Sequence, residues 1–349
     1  MRVRQPRLPT PRRLLLGALA LLCILYYLFF SGAGTTAYDP AAHARPSSSS
    51  AHENKIHHSI IVPTYHERAN IRPLVTRVFA ALPDPAIVEL VIVDDDSRDG
   101  TDNVVAELRE EGFNVVLIVR TKEEQGRGGM GLSGAVLRGF EEARGESLVV
   151  MDADLQHPPT ALPALFSALD DYATPFALGT RYAPGVQMDQ SWPLYRRVIS
   201  WGARSLARPL TSASDPMTGF FGIRKELFLR SAPLTPTGFK IGLELLLKAP
   251  IPRGGVKEVP FSFGVREVGE SKLSGKVIIR YVGQLWNLYW WAWGIFFALA
   301  LLAVFAAAAG IAFLVLRQVE RRYRLGLYKW GLGWMVGDER RRRKIKSEV

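Results

Sequence analysis

From His58 to Leu178 short apolar runs alternate with amphipathic stretches, and that alternation constrains the fold more than any other feature. Strands are read at Ser59–Val62, Leu90–Val93, Val115–Val119, Leu148–Met151 and Phe176–Leu178, with helices at about 67–82, 102–111, 132–144 and 160–171 between them. Strands that alternate with helices build an α/β, mostly parallel, doubly wound sheet. Such sheets bind ligands in the crevice outside the carboxyl ends of their strands. The residues that follow each strand are therefore the ones to inspect.

Strand four runs into Asp152-Ala153-Asp154-Leu155-Gln156-His157 and is stopped by Pro158-Pro159. Strand alternation would send Asp152 and Asp154 to one side. Two close carboxylates repel unless a cation or a donor-rich ligand neutralises them. Oxygen ligation by Asp154 and the Gln156 amide suits Mg²⁺ or Mn²⁺. The bland alternative is an Asp-rich turn capping the next helix. His157, alone before two prolines, reads as packed or capping rather than as a ligand.

Strand one ends in Pro63-Thr64-Tyr65-His66-Glu67, a shelf for a base and ribose or equally a turn. Strand two ends in Asp94-Asp95-Asp96, and three adjacent acids are costly enough to favour function. Asp95 is the one read as accepting hydrogen bonds from a nucleobase or ribose, with Asp99-Gly100 as turn and Asp102 as helix cap. Gly126 to Gly131 matches the dinucleotide fingerprint but lies too far from its strand, in the third unit, so it is read as a loop over the cleft. Arg181, Arg196, Arg197, Arg266 and Lys272 fall near the cleft, and cations converging on a carboxylate-bound metal suggest phosphate chemistry.

The net charge of +11 raises the question of nucleic acid. Residues 1–13 hold five arginines and no acid, and residues 317–349 eleven Lys/Arg against four acids, so the ends carry +12 and the middle −1. The basic ends flank apolar runs, Leu14–Phe30 and Gln284–Leu316, and are read as bilayer-surface anchors rather than nucleic-acid arms. The expected divisions are 1–34, an apolar anchor or signal-like segment; 35–56, a flexible linker; 57–280, a catalytic domain; 281–317, a transmembrane segment; and 318–349, a basic tail. The 57–280 domain splits at 185/186, where the alternation of strands and helices gives way to a second half with few strands. The single cysteine, Cys23, excludes an intramolecular disulfide.

Six motifs now stand in order: Val-Pro-Thr-Tyr-His-Glu, Val-Asp-Asp-Asp-Ser-Arg-Asp-Gly-Thr, Met-Asp-Ala-Asp-Leu-Gln-His-Pro-Pro, Gly-Thr-Arg-Tyr, Thr-Gly-Phe-Phe and Gly-Glu-Ser-Lys-Leu. Over about residues 58–275 the chain resembles the dolichol-phosphate mannosyltransferases, inverting glycosyltransferases with the A-type nucleotide-sugar fold. The resemblance implies transfer of mannose from GDP-mannose to dolichyl phosphate at the cytosolic face of the endoplasmic reticulum membrane. UDP-glucose is the alternative donor, and a homo-oligomer is left open. It implies that Pro63, Tyr65, Glu67, Val93 and Asp95 hold the guanosine, and that Asp152, Ala153 and Asp154 meet the donor, with Asp152, Asp154 and Gln156 around the metal. Arg181, Arg196 and Ser200 would face the acceptor phosphate, and Lys240, Arg266 and Lys272 would close over the phosphates. Asp152, Asp154, Arg181 and Arg196 are thus the expected catalytic set. His66 departs from the family pattern, which has Asn there.

Overall fold

Among the described residues, seven short strands join one sheet in the order β3-β2-β1-β4-β6-β5-β7. They are β1 (His58–Thr64), β2 (Val88–Asp94), β3 (Val115–Val119), β4 (Ser147–Val150), β5 (Phe176–Thr180), β6 (Phe221–Arg224) and β7 (Val256–Pro260). The computed structural model describes residues 37–43, 55–127, 131–183, 186, 194–235, 239–264 and 275–329. β3, β2, β1 and β4 run parallel, β6 runs antiparallel to β4 and β5, and β7 is parallel to β5.

The central strands are apolar on both faces because both faces are covered. Ile60, Val62, Leu90, Ile92 and Val149 face a layer built by α1 (Arg68–Ala81), α2 (Thr101–Glu110) and α5 (Leu162–Asp170). Ile61, Val91, Val93, Leu148 and Val150 face the opposite layer, to which α4 (Leu132–Glu142) gives Val136 and Phe140. The short α3 (Lys122–Arg127) leads towards α4. Each expected strand and helix of this half is present to within a few residues.

The second half contains two strands that its sequence does not advertise. β6 is four residues long and needs Gly222, since a Cβ there would lie 2.6 Å from Leu169 Cδ1 and 3.0 Å from Val149 Cγ2. β7 carries Lys257 and Glu258 and ends on Pro260, which suits its place at the sheet edge. Around them lie α6 (Leu194–Ala207), α7 (Lys225–Leu229) and α8 (Ile241–Lys248). The segment expected as a flexible linker is also partly docked. Tyr38 exchanges two backbone hydrogen bonds of 2.7 Å with Leu234, and its ring packs between His43 and Phe228.

The chain divides into two units, Gly34–Ala292 and the remainder, Met1–Ala33 with Trp293–Val349. The uncharged run after residue 281 is not one segment, because two helices, α9 (Gly275–Trp293) and α10 (Ile295–Lys329), meet at Gly294 with φ 49. α9 buries Tyr281, Leu285 and Leu288 in a cluster with Ala207, Met217 and Leu243. Its Tyr281 and Tyr289 hydroxyls donate to the carbonyls of Ala203 and Leu206 at 2.8 Å. One face of the first part of the run packs on protein, and among the described residues the helix long and apolar enough to cross a membrane, by length and composition, runs from Ile295 to Val319. It has 25 residues and mean hydropathy 2.8.

Candidate active site

β1 and β2 end side by side, with Thr64 opposite Asp94, and the loops beyond them are stitched together. Buried Asp94 accepts hydrogen bonds from Thr64 Oγ1 (3.2 Å), Ser97 N (2.7 Å) and Ser97 Oγ (2.5 Å). Ser97 Oγ in turn accepts from the backbone N–H of His66 at 2.8 Å. Asp99 accepts from Arg68 N at 3.2 Å and from Thr101 N and Oγ1 at 3.1 and 2.7 Å. Asp99, not Asp102, therefore serves the start of α2, where Gly100 takes φ 87. His66, Asp96 and Arg98 occupy the left-handed region with φ 55, 56 and 52. His is tolerated there, though less readily than Asn.

The acid triplet divides its labour. Asp94 ties the loops, Asp96 pairs with exposed Arg98, and Asp95 turns to Arg120. Arg120 is 1% exposed and reaches Asp95 Oδ1 through Nε (2.7 Å) and Nη2 (2.6 Å). Burial pushes the Asp95 carboxyl above the ordinary carboxylate value, and the Arg120 charge opposes that rise. Beside this pair Pro63 is half-buried, Val93 fully buried and Tyr65 exposed, and Glu67 accepts from Asn70 Nδ2 at 2.7 Å.

β4 pairs only as far as Val150, and a turn follows in which Leu155 takes φ 61. The turn, not strand alternation, places Asp152 and Asp154. Ala153 and Asp154 are buried, and Asp154 Oδ1 accepts from Gln156 N at 3.1 Å. Gln156 Nε2 donates to Gly264 O (3.1 Å), and Gly264 N returns a bond to Gln156 O (2.9 Å). That leaves the amide oxygen of Gln156 as the end available to a hard cation. His157 Nδ1 accepts from Asp152 N at 3.0 Å. Its ring stacks on Phe220 at 5.0 Å and meets the edges of Phe261 and Phe263. Burial pulls the imidazole down to about 3, so it is a neutral brace for the Asp152 turn.

Across the sheet end, Arg181 follows β5 and is locked to Asp215. Nε–Oδ2 is 2.7 Å, Nη2–Oδ1 is 3.0 Å, and the Arg181 backbone N–H adds a bond of 3.3 Å. Burial works against the guanidinium charge, but the fully buried Asp215 more than offsets it and holds Arg181 above its ordinary value. Phe263 lies under the same guanidinium at 5.2 Å. Lys240 donates to Met217 O at 2.6 Å. Burial, then the Arg181 charge, pulls Lys240 down to about 8, with Asp152 and Asp215 opposing. Gln284 of α9 donates to Lys240 O at 3.2 Å. Arg204 donates to Ser214 O at 2.8 Å with its guanidinium over Tyr182, while Ser200 is half-buried on the same helix.

The structure thus brings Asp152, Arg181, Lys240 and Asp215 within one electrostatic cluster. Arg196 lies on α6, but its side chain is outside the described residues, as are Arg266 and Lys272. Sequence reasoning missed Arg120 and the service that Asp215 gives Arg181. A lone Arg just past a strand and an Asp before Pro carry no local signal of a partner far along the chain. Among the described residues no three of His, Cys, Asp and Glu gather as a metal site. Asp152, Asp154 and Gln156 offer carboxylate and amide oxygens, the hard donors that Mg²⁺ or Mn²⁺ prefers.

The profile of glycosyl transferase family 2 matches residues 59–230. A dolichol-phosphate mannosyltransferase of Saccharomyces cerevisiae is 56% identical over 246 residues, covering 68% of this chain and 89% of the relative. One of Mycosarcoma maydis is 52% identical, covering 71% and 85%. Among solved structures, glucosyl-3-phosphoglycerate synthase from Mycobacterium tuberculosis, in complex with Mn²⁺, UDP-glucose and phosphoglyceric acid, aligns at TM-score 0.50 and 17% identity over 74% of this chain and 84% of that one. That likeness concerns the fold alone, an A-type glycosyltransferase fold. On these matches the chain is a glycosyltransferase and belongs to the dolichol-phosphate mannosyltransferases of glycosyl transferase family 2.

Proposed function

We propose that this enzyme transfers mannose from GDP-mannose to dolichyl phosphate, with the lipid phosphate as nucleophile and inversion at the sugar. Pro63, Tyr65, Glu67, Val93 and Asp95 hold the guanosine; Asp152 and Ala153 meet the sugar diphosphate; Arg181, Arg196 and Ser200 aim the acceptor phosphate; and Lys240, Arg266 and Lys272 close over the phosphates. Asp154, Gln156 and Asp152 would hold Mg²⁺ or Mn²⁺, which would supply positive charge against the diphosphate. The observation that carries this reading is the Asp215–Arg181 pair. Asp215, a carboxylate that could otherwise serve as a base, is fully buried and engaged by two guanidinium nitrogens. A hydroxyl acceptor needs a base. A phosphate monoester, with a second pKa of about 6, is already a dianion and needs only attraction and aim.

A lipid acceptor is supported by the described surfaces of each unit. α6 exposes Val198, Trp201 and Leu206, and α9 exposes Ile279 and Val282. The Ile295–Val319 stretch is long and apolar enough to cross a bilayer. We place the catalytic residues in the cytosol, at the endoplasmic reticulum membrane, with Leu14–Phe30 either lying in the interface or spanning with its N-terminus outside. Protease protection of the middle of the chain in sealed microsomes would overturn that placement. The activity itself is tested by thin-layer analysis of lipid product after supplying labelled GDP-mannose and dolichyl phosphate. Mannolipid is expected, and lipid product from UDP-glucose alone would favour the glucosyl reading.

A further inference from the structure

We infer that Arg120 is a positioning residue for donor recognition, acting through Asp95 by holding one carboxylate oxygen so that the other faces the nucleoside. The inference rests on the reading of Asp95 as a nucleoside ligand.

A guanidinium is among the groups least often buried, yet Arg120 is 1% exposed. Its backbone N–H donates to Asp94 O at 2.8 Å, which pins it beside the acid triplet as β3 ends. Nε and Nη2 both reach Asp95 Oδ1, at 2.7 and 2.6 Å, and Nη2 also donates to Gly131 O at 3.2 Å. Asp95 is held from behind as well, its N–H donating to Thr64 O at 3.1 Å.

The contrast with Arg181 shows what is unusual. Arg181 meets Asp215 fork to fork, one nitrogen on each oxygen, and so engages that carboxylate on both sides. Arg120 places two donors on the same oxygen and leaves Oδ2 outside the fork. The Asp95 side chain keeps 14% exposure where Arg120 keeps 1%, so the opening lies on the carboxylate side of the pair. The pair thus presents a braced acceptor at a strand end where the fold binds ligands. The acceptor suits an N–H of a base or a hydroxyl of a ribose. Lysine at 120 would keep the charge but not the planar fork that spans Asp95 and Gly131.

The test is GDP titration of the full chain in detergent, with thermal unfolding and the KM for dolichyl phosphate measured alongside. Arg120→Lys is expected to raise the GDP Kd about tenfold or more and to leave the acceptor KM within about twofold. Asp95→Asn is expected to do the same, and the double variant to bind GDP no more weakly than Asp95→Asn alone, because both act at one contact. Wild-type GDP affinity in Arg120→Lys, or penalties that multiply in the double variant, overturns the inference while leaving the donor reading intact. Failure of the wild-type chain to bind GDP removes the donor reading and this inference with it. Should Arg120→Lys not fold, Asp95→Asn decides alone, and unchanged GDP affinity there overturns the inference.

Discussion

The strand-end loops of β1, β2 and β4 and the cluster around Arg181 solve one problem in opposite ways. In the first region acids are in excess. Hydroxyls and backbone N–H groups quiet Asp94, and a single buried arginine braces Asp95. In the second region cations face the crevice, and buried Asp215 holds Arg181 while Asp152 lends its field to Lys240. Each side keeps one charge poised for a ligand by giving it a partner of opposite sign. The acid side is therefore suited to a metal and hydrogen-bond donors, and the basic side to phosphate.

The sharpest way to break this division is to neutralise the acid side. Asp154→Asn should cut metal-dependent mannosyl transfer by at least about a hundredfold, the order of loss when one stabiliser of developing charge is removed. Thermal unfolding should change little, because the side chains are isosteric. Retention of wild-type Mn²⁺-dependent turnover would show that the two sides are not distinguished in this way.

The second test attacks the basic side. Asp215→Asn leaves Arg181 buried beside a neutral amide, and breaking a buried pair of this kind costs about 3–5 kcal/mol. The expected result is a lower melting temperature, a raised acceptor KM and a reduced kcat together. A kcat loss of several orders of magnitude with both KM values and the fold intact would make Asp215 a base and end the comparison.

A milder test uses pH. Lys240 is held at about 8 against an ordinary value of 10.5. Below about pH 8 it is charged in both folded and unfolded chains, and its burial cost is carried in full. Between about 8 and 10.5 the folded chain releases a proton that the unfolded chain keeps, so stability from this group rises with pH. Phosphate attraction moves the other way. kcat/KM should therefore fall above about pH 8 while thermal stability does not fall in step, and Lys240→Arg should remove the decline. A decline that persists in Lys240→Arg would assign it to another group.

The smallest effect concerns the stitching of the acid side. His66 sits at φ 55, where Asn is at home and a β-branched residue is not. His66→Asn should shift stability by under about 0.5 kcal/mol. His66→Val should cost about 1–2 kcal/mol in thermal unfolding. Equal stability of the two variants would mean that the loop readily leaves this conformation.

The two regions also differ in how plainly the chain announces them. The parallel half was legible because each strand is a local apolar run, each helix a local periodicity, and the acids sit directly at strand ends. β6 was not legible, since four residues with an internal glycine carry no period. Its partners Val149 and Phe176 lie far away in the chain, and pairing with them decides that it is a strand at all.

What the sequence determined by itself is the fold class, the order of the parallel strands' elements and the residues at their carboxyl ends, because burial pattern and turn chemistry act over a few neighbours. Tertiary structure alone decided which charges meet. Arg120 finds Asp95 across 25 positions and Arg181 finds Asp215 across 34. Tertiary structure likewise divided the last apolar run, because a helix face is apolar whether protein or lipid covers it. Only the packing of Tyr281, Leu285 and Leu288 against Met217 and Leu243 tells which.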